Sequence, residues 1–468
     1  MPDKLLDESI FLRVMELKKG TIQYTDATNA YRLFKEHGRD IRYFPAWKKW
    51  LVWNGRQWEI DEGGSLVHEK GLETIRNLYD ELTKTDDYRE MIEIEKFGKI
   101  SESFRRREAM IKTAQCIRAL NIKAEELDAN PWLLNVQNGA VDVQEGKFIE
   151  HRQEEMITKI ANVVYDPNAD CPLWKKFIRE IMNYKTDLIN FLQTAAGWAM
   201  TGDNSEQVMF ILYGSGANGK STFLNTLMYV LGDYAIATPT ETFMKKNGDQ
   251  NTNDIARLRG LRLVTTTEAE QGRRLSEPLI KKITGNDQMT ARFLYGEYFN
   301  FVPTFKIFMA TNYKPVIKGT DHGIWRRIRL IPFTTTIPDE KQDKNLEEKL
   351  KQEASGILNW LLEGTERWKK ERLNIPAAIL NATDEYRGEM DVIGNFLKDC
   401  CVQKNDVQIR IRELYKAYAD WCDENKEHAV NERFFSMRLK EMGFEQGRTA
   451  EARYWKGLAL QEQLTGNR

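Results

Sequence analysis

Between residues 214 and 221 the chain reads Gly-Ser-Gly-Ala-Asn-Gly-Lys-Ser. Glycines at this spacing let successive backbone N–H groups turn inward around phosphate oxygens, the lysine reaches the β and γ phosphates, and the hydroxyl can ligate magnesium. The chemistry on offer is nucleotide binding by Gly214, Ser215, Gly216, Ala217, Asn218, Gly219, Lys220, Ser221 and Thr222. Hydrolysis also needs an acid that holds magnesium or aligns water. Glu268, at the end of Leu261-Arg262-Leu263-Val264-Thr265-Thr266-Thr267, is the first candidate and Glu270 the second. Asn312 closes a third apolar run, where an amide can touch the γ-phosphate or the attacking water. Arg326 and Arg327 stand between Trp325 and the apolar Ile328 to Phe333. A guanidinium there can stabilise a transferring phosphate, and in ring-shaped ATPases it comes from the neighbouring subunit. Paired arginines are otherwise solvated or salt-bridged.

These residues require strands that stop where the chemistry starts. Val208 to Tyr213 is an apolar run that leads into the glycine loop, and Thr222 to Met228 begins an amphipathic helix behind it. Leu261 to Thr265 and Lys306 to Thr311 suit buried parallel strands, with a hairpin between them around Phe293 to Phe301. The pattern predicts one helical stretch from Leu173 to about Met200 and another from Asp343 to Glu371. Upstream, residues 38 to 61 read as strands, with Asn54-Gly55 as a two-residue hairpin turn. Trp47, Trp50, Trp53 and Trp58 crowd this segment, as a base-stacking surface or, preferably, as packing on one sheet face. Val67 to about Ala129 is helical and charged; Asn138 to Val143 with Gly146 is a second short hairpin. Beyond Met390, helices at Ile411 to Cys422 and Asn431 to Met442 and a β segment at Arg453 to Ala459 follow the order of a winged helix. Arg433, Arg438 and Lys440 could share a face there with Arg448, Arg453 and Lys456, to bind DNA or to pack against protein. The expected divisions are 1–135, an α+β region; 136–200, a helical domain before the motor; 201–388, the ATPase; and 389–468, the winged helix.

Composition excludes several classes. In 468 residues, 41% are hydrophobic and 30% charged, with 12 prolines and 30 glycines, unlike collagenous or disordered chains. No apolar run approaches the ~18 residues of a membrane helix, so the expectation is a soluble cytoplasmic protein with no membrane partner. Five cysteines form no zinc-seating spacing and no even-numbered disulfide set. The net charge of −1 gives no global case for nucleic acid, but residues 271–330 hold eleven Lys and Arg against four Asp and Glu.

Together these motifs resemble the superfamily 3 helicases, specifically the phage and plasmid primase-helicase group related to the poxvirus nucleoside triphosphatase. The match runs through GSGANGKST at Gly214 to Thr222, TTTE ending at Glu268, GRRLSE, KKITGND and AR from Gly272 to Arg292, PTFKIFMATNYKP from Pro303 to Pro315, and GIWRRIRLIPF from Gly323 to Phe333. It extends from about Thr25 to Leu460. The resemblance implies an α/β, P-loop AAA+-like superfamily 3 motor core with an α+β N-terminal domain and a C-terminal winged helix. Within that core Asn312 is the sensor, Arg327 or Arg326 the finger, and ATP with Mg2+ the cofactor, the metal being held by Ser221 and Glu268. Many relatives place two acids in the second motif, whereas Thr267 precedes Glu268 here, so Glu268 would serve both metal and water. The primase domain of larger members is expected to be lacking.

The resemblance further implies a hairpin, Thr290 to Tyr298, that projects into a ring channel. Lys281, Lys282 and Arg292 would contact phosphates, and Tyr295 or Tyr298 would stack on bases or merely pack the hairpin. The expected activity is ATP-dependent unwinding, with 3′ to 5′ polarity by resemblance alone. A homohexamer would act on single-stranded and forked DNA in phage, plasmid or mobile-element replication, alongside a separate primase. The alternative is an ATP-switched initiator or loader that binds origin DNA without processive unwinding. A small-molecule P-loop kinase would explain neither the basic excess nor Asn312.

Overall fold

The computed structural model describes residues 24–246, 252–267, 271–294, 296–319, 321–449 and 452–461. It opens with α1 (Asp26–His37) and a meander of β1 (Ile41–Phe44), β2 (Lys49–Trp53) and β3 (Trp58–Asp61), followed by α2 (Ser65–Asn77), α3 (Tyr88–Ser101) and α4 (Phe104–Ala114). Trp50 and Trp58 are buried, so these tryptophans serve packing. Trp53 pairs with Trp58 across a four-residue loop, not the two-residue turn expected at Asn54-Gly55. The Asn54 side chain accepts hydrogen bonds from the backbone N–H groups of Arg56 (3.0 Å) and Gln57 (2.9 Å), which closes the longer loop.

A second three-stranded sheet, β4 (Leu133–Val136), β5 (Gly139–Asp142) and β6 (Lys147–Ile149), precedes α5 (Pro172–Ile181) and α6 (Thr186–Met200). The division expected at 135/136 therefore falls inside β4, and the segment assigned to helices holds strands as well. Between α5 and α6 the single helix expected is interrupted at Asn183 and Tyr184, both at positive φ.

Next come β7 (Met209–Tyr213), α7 (Lys220–Leu231), β8 (Ala235–Ala237), α8 (Asn253–Ala256), β9 (Leu263–Thr267) and α9 (Glu277–Thr284). The hairpin of β10 (Met289–Ala291) and β11 (Phe299–Phe301) leads to β12 (Lys306–Thr311), α10 (His322–Trp325) and β13 (Ile328–Pro332). Five of these strands form one parallel sheet in the order β13-β7-β12-β9-β8. Alternate side chains serve opposite cores, as a period of two requires: Phe210, Leu212, Phe308 and Ala310 face α5, α6 and α7, while Met209, Ile211, Ile307 and Met309 face the hairpin side.

Two buried cations pin the base of this sheet. Arg262 donates to the carbonyls of Met200 (2.9 Å) and Leu133, and Lys306 donates to the Thr201 carbonyl while lying 4.9 Å over the Trp198 ring. Both hold the C-terminus of α6, where carbonyls lack helical partners. Burial pushes both pKa values down, that of Lys306 strongly. Arg262→Leu is expected to destabilise the chain by at least about 2 kcal/mol, roughly one for each carbonyl left unpaired. A shift of the urea midpoint at constant slope would register it, and an unchanged midpoint would contradict the pinning role.

The helix expected from Asp343 to Glu371 is two helices, α11 (Leu346–Gln352) and α12 (Ala354–Glu371). They break at Glu353, whose carboxylate caps the first turn of α5 through the N–H groups of Leu173 (3.1 Å) and Trp174 (2.9 Å). The chain continues through α13 (Ala377–Met390) to α14 (Val392–Cys400), β14 (Cys401–Arg410), α15 (Ile411–Glu424), α16 (Glu432–Glu441), β15 (Gln446–Arg448) and β16 (Arg453–Leu460). The three strands form an antiparallel sheet in the order β14-β16-β15, over a core of its own around Phe396, Tyr418, Phe435 and Trp455. Arg438 is drawn away from the basic face expected on α16 by Asp391 and Glu441. Among the described residues, no helix is long and apolar enough to cross a membrane.

Candidate nucleotide site

The loop at Gly214 leaves the sheet where β7 and β12 end level, Tyr213 being paired with Thr311. Gly214 and Asn312 therefore emerge side by side. A side chain at Gly214 would collide with the Asn218 amide at 2.1 Å and with the Phe333 carbonyl at 2.3 Å, so the loop closes only around glycine. Gly219, at φ +79°, turns the chain into α7, whose N-terminus then faces the loop.

Lys220 is 6% exposed, and its ammonium donates to the Gly214 carbonyl (2.8 Å), Asn218 Oδ1 (2.9 Å) and Asn312 Oδ1 (3.1 Å). An ammonium has three donors, and all are taken. A phosphate oxygen can be bound directly only by displacing an acceptor, and Asn312, itself exposed, is the one free to move. Burial lowers the Lys220 pKa. Asn218 is 3% exposed and links the lysine to the end of β13, because its Nδ2 donates to the Phe333 carbonyl at 3.2 Å. Sequence reasoning placed Asn218 in the loop but missed this bridging role. Ser221 is exposed on the first turn of α7, a position that suits one protein ligand to a nucleotide-borne magnesium ion.

Glu268, Glu270 and Tyr295 lie outside the described residues; β9 ends before the two acids at Thr267. Arg326 and Arg327 are not near the loop. They precede β13 at the opposite edge of the sheet, where the Arg327 carbonyl accepts a bond from the N–H of Met209 at the start of β7. Five residues of strand separate the two edges, about 16 Å at ~3.3 Å per residue. Neither side chain can touch a phosphate on its own loop. Arg327 is half-buried and donates to Thr284 Oγ1 (3.1 Å) and the Gly323 carbonyl (2.6 Å), and burial lowers its pKa. Arg326 is exposed, and its guanidinium donates to Gln207 Oε1 (3.1 Å).

Of the residues expected on the hairpin side, Arg292 and Tyr298 are exposed and stacked, the guanidinium lying 4.8 Å over the ring. Lys282 is exposed on α9, whereas Lys281 is paired with Asp321 at 3.0 Å. The basic excess of residues 271–330 is therefore no continuous surface: Lys306 is buried, and Arg274 and Lys314 pair with Glu277 and Glu389. The hairpin also meets the N-terminal sheet. Trp47 packs edge-on against Phe293 (5.8 Å) and Phe299 (6.3 Å), a contact that links residues some 250 positions apart and left no local signal.

Three family models match the chain: D5 N terminal like over residues 30–183, a family of unknown function over 212–327, and Poxvirus D5 protein-like over 388–458. Among curated proteins, the helicase-named L207/L206 protein of Acanthamoeba polyphaga mimivirus is 29% identical over 324 residues, covering 64% of this chain and 34% of its own. The primase-named C962R protein of African swine fever virus is 25% identical over 385 residues, covering 75% of this chain and 38% of its own. The chain thus spans about a third of the length of these relatives. Among solved structures, the apo C-terminal region of NrS-1 superposes with a TM-score of 0.51 at 11% identity, covering 94% of this chain and all of that one, a likeness of fold. With D5-type segments on both sides of its parallel sheet and viral relatives named for helicase and primase, the chain fits the D5-type primase-helicase group.

Proposed function

We propose that the chain is an ATP-driven DNA helicase of superfamily 3, working as a hexameric ring in replication of phage, plasmid, viral or other mobile-element DNA. In this reading residues 201–388 form the motor and 389–468 a winged helix. The observation that carries it is the contact between Lys220 and Asn312. It joins a phosphate-binding lysine to an amide on the adjacent strand, so that arrival of a γ-phosphate changes the position of that strand end. Lys220 binds the β and γ phosphates, Glu268 orients water, and Asn312 senses the γ-phosphate. Magnesium, arriving with ATP and held by Ser221 and Glu268, supplies charge neutralisation at the phosphates. Arg292 and Tyr298 on the hairpin and Lys282 on α9 contact the DNA strand, with Lys281 joining them once it leaves Asp321.

ATP hydrolysis measured with and without single-stranded DNA tests the motor, and strand displacement on a forked duplex tests the coupling. DNA-stimulated hydrolysis with displacement is expected. Hydrolysis without any displacement would instead support the initiator or loader reading, which the exposed Arg433, Lys440, Arg448 and Arg453 of the C-terminal unit favour.

Glu268→Gln is expected to retain nucleotide binding and lose turnover, because the amide keeps the size of the side chain but cannot accept the proton of the attacking water. Loss of turnover in Glu270→Gln instead would transfer the role to that residue. Strong activity in both variants would remove the acid from this segment.

A further inference from the structure

A cavity of about 560 Å³ lies away from the glycine loop, between the β1–β2 turn, the segment around Asp128 and Lys159, the end of α8, and the hairpin loop after β10. Its lining combines apolar side chains, Trp47, Phe293 and Leu294, the last 62% exposed, with Lys48, Lys159 and Arg257, which make no ion pair among the described residues. Lys49 and Arg259 line it too, the Arg259 guanidinium lying 5.3 Å over the Trp47 ring. Of the three carboxylates in the lining, Glu62 is taken by Lys49 at 2.7 Å and Asp128 by the N–H and hydroxyl of Thr158 at 2.7 and 2.6 Å. Asp128 keeps its charge under these bonds, so Asp128 and Glu297 stand against Lys48, Lys159, Arg257 and Arg259, a local excess of two positive charges.

Lys48 reaches the cavity from the β1–β2 turn, where it sits at φ +54°.

Unpaired cations in one cavity with exposed apolar side chains suit a ligand with a flat apolar face and a phosphate, and the volume falls in the ordinary range for a small-molecule site. We infer that this cavity seats a nucleotide unit, its phosphate on Lys48, Lys159 and Arg257 and its base against Leu294 and Phe293. The unit comes either from a single strand passing the hairpin or from a free nucleotide. The first source rests on the helicase reading; the second does not.

The test uses the full chain with two probes, a labelled oligothymidylate and labelled thymidine monophosphate. The variants are Lys159→Glu with Arg257→Glu, and separately Leu294→Asp, with the unfolding midpoint as the fold control. Should the charge reversal unfold the chain, Lys159→Gln with Arg257→Gln replaces it. The expected result is a loss of at least about 10-fold in oligothymidylate affinity, with the salt slope falling by about 0.7 for each phosphate contact removed. A loss confined to the oligonucleotide assigns the strand as the source, and a matching loss for the monophosphate assigns the free nucleotide. Unchanged affinity for both probes overturns the site, as does a wild-type chain that binds neither. If Arg292→Ala weakens oligonucleotide binding and the cavity variants do not, the cavity inference falls while the helicase reading stands. If the cavity variants lose binding while the wild type never displaces a strand, the helicase reading falls and the site stands.

Discussion

Lys220→Ala is expected to abolish ATP hydrolysis, lowering the rate by at least about 10²- to 10³-fold, the scale on which loss of one preorganised charge-stabilising donor acts in other enzymes. The position of the ammonium is the reason. It is buried, its three donors converge on Gly214, Asn218 and Asn312, and every one of those acceptors belongs to the loop or to the strand end beside it. Removing it deletes the only described cation hydrogen-bonded to both elements. The fold should persist, because Asn218 remains bonded to Phe333 and the sheet beneath is packed by Phe210, Leu212 and Phe308, which Lys220 does not replace. Hydrolysis is measured on protein whose unfolding midpoint matches the wild type. Turnover close to wild type would remove the loop from the catalytic site and the helicase reading with it.

The part of the site that sits on strand ends was legible in the sequence, for a physical reason. A parallel strand covered on both faces must be apolar throughout, so Val208 to Tyr213 and Lys306 to Thr311 stand out as runs, and the residues just after each run are carried to one edge of the sheet. Strand ends alone thus bring Lys220 and Asn312 together. They do not give the order of the strands, which depends on contacts between runs about a hundred residues apart. Local patterns also fail wherever they are overridden from a distance. Glu353 lies in helical text, yet its carboxylate is drawn off to cap a helix 180 residues earlier. β14 has no local signature: from Gln403 to Gln408 it is mostly solvent-exposed and polar, and it pairs with β16 on either side of an irregularity between those two residues. Counting charges overstated the nucleic-acid surface for the same reason: the sign of Lys281 or Lys314 is visible in the sequence, and its carboxylate partner 40 or 75 residues on is not.

The arginines before β13 should act on a neighbouring subunit, with the largest effect expected after that of Lys220. A finger that stabilises charge at the transferring phosphate accounts for about 10³-fold or more in rate. Here both candidates stand a full strand length from their own loop, so any such effect must cross an interface. In the proposed ring, head-to-tail contacts would have to bring this end of the sheet of one subunit against the loop of the next. Arg326 is the better placed of the two, since it is exposed, whereas Arg327 is committed to Thr284 and Gly323 within its own chain. Arg326→Ala is therefore expected to lose hydrolysis while binding ATP, and Arg327→Ala to lose it only as far as the α9–α10 region loosens. Mixed with the Lys220→Ala protein, the Arg326→Ala protein should regain activity, because about one interface in four of a random ring pairs an intact loop with an intact finger. Arg327→Ala is mixed in parallel, and rescue by it alone would exchange the two roles. If subunits are shown to exchange and no mixture recovers hydrolysis, the site is not shared between subunits, and the arginines are structural, Arg327 holding the start of β13 to α9 and Arg326 holding it to Gln207.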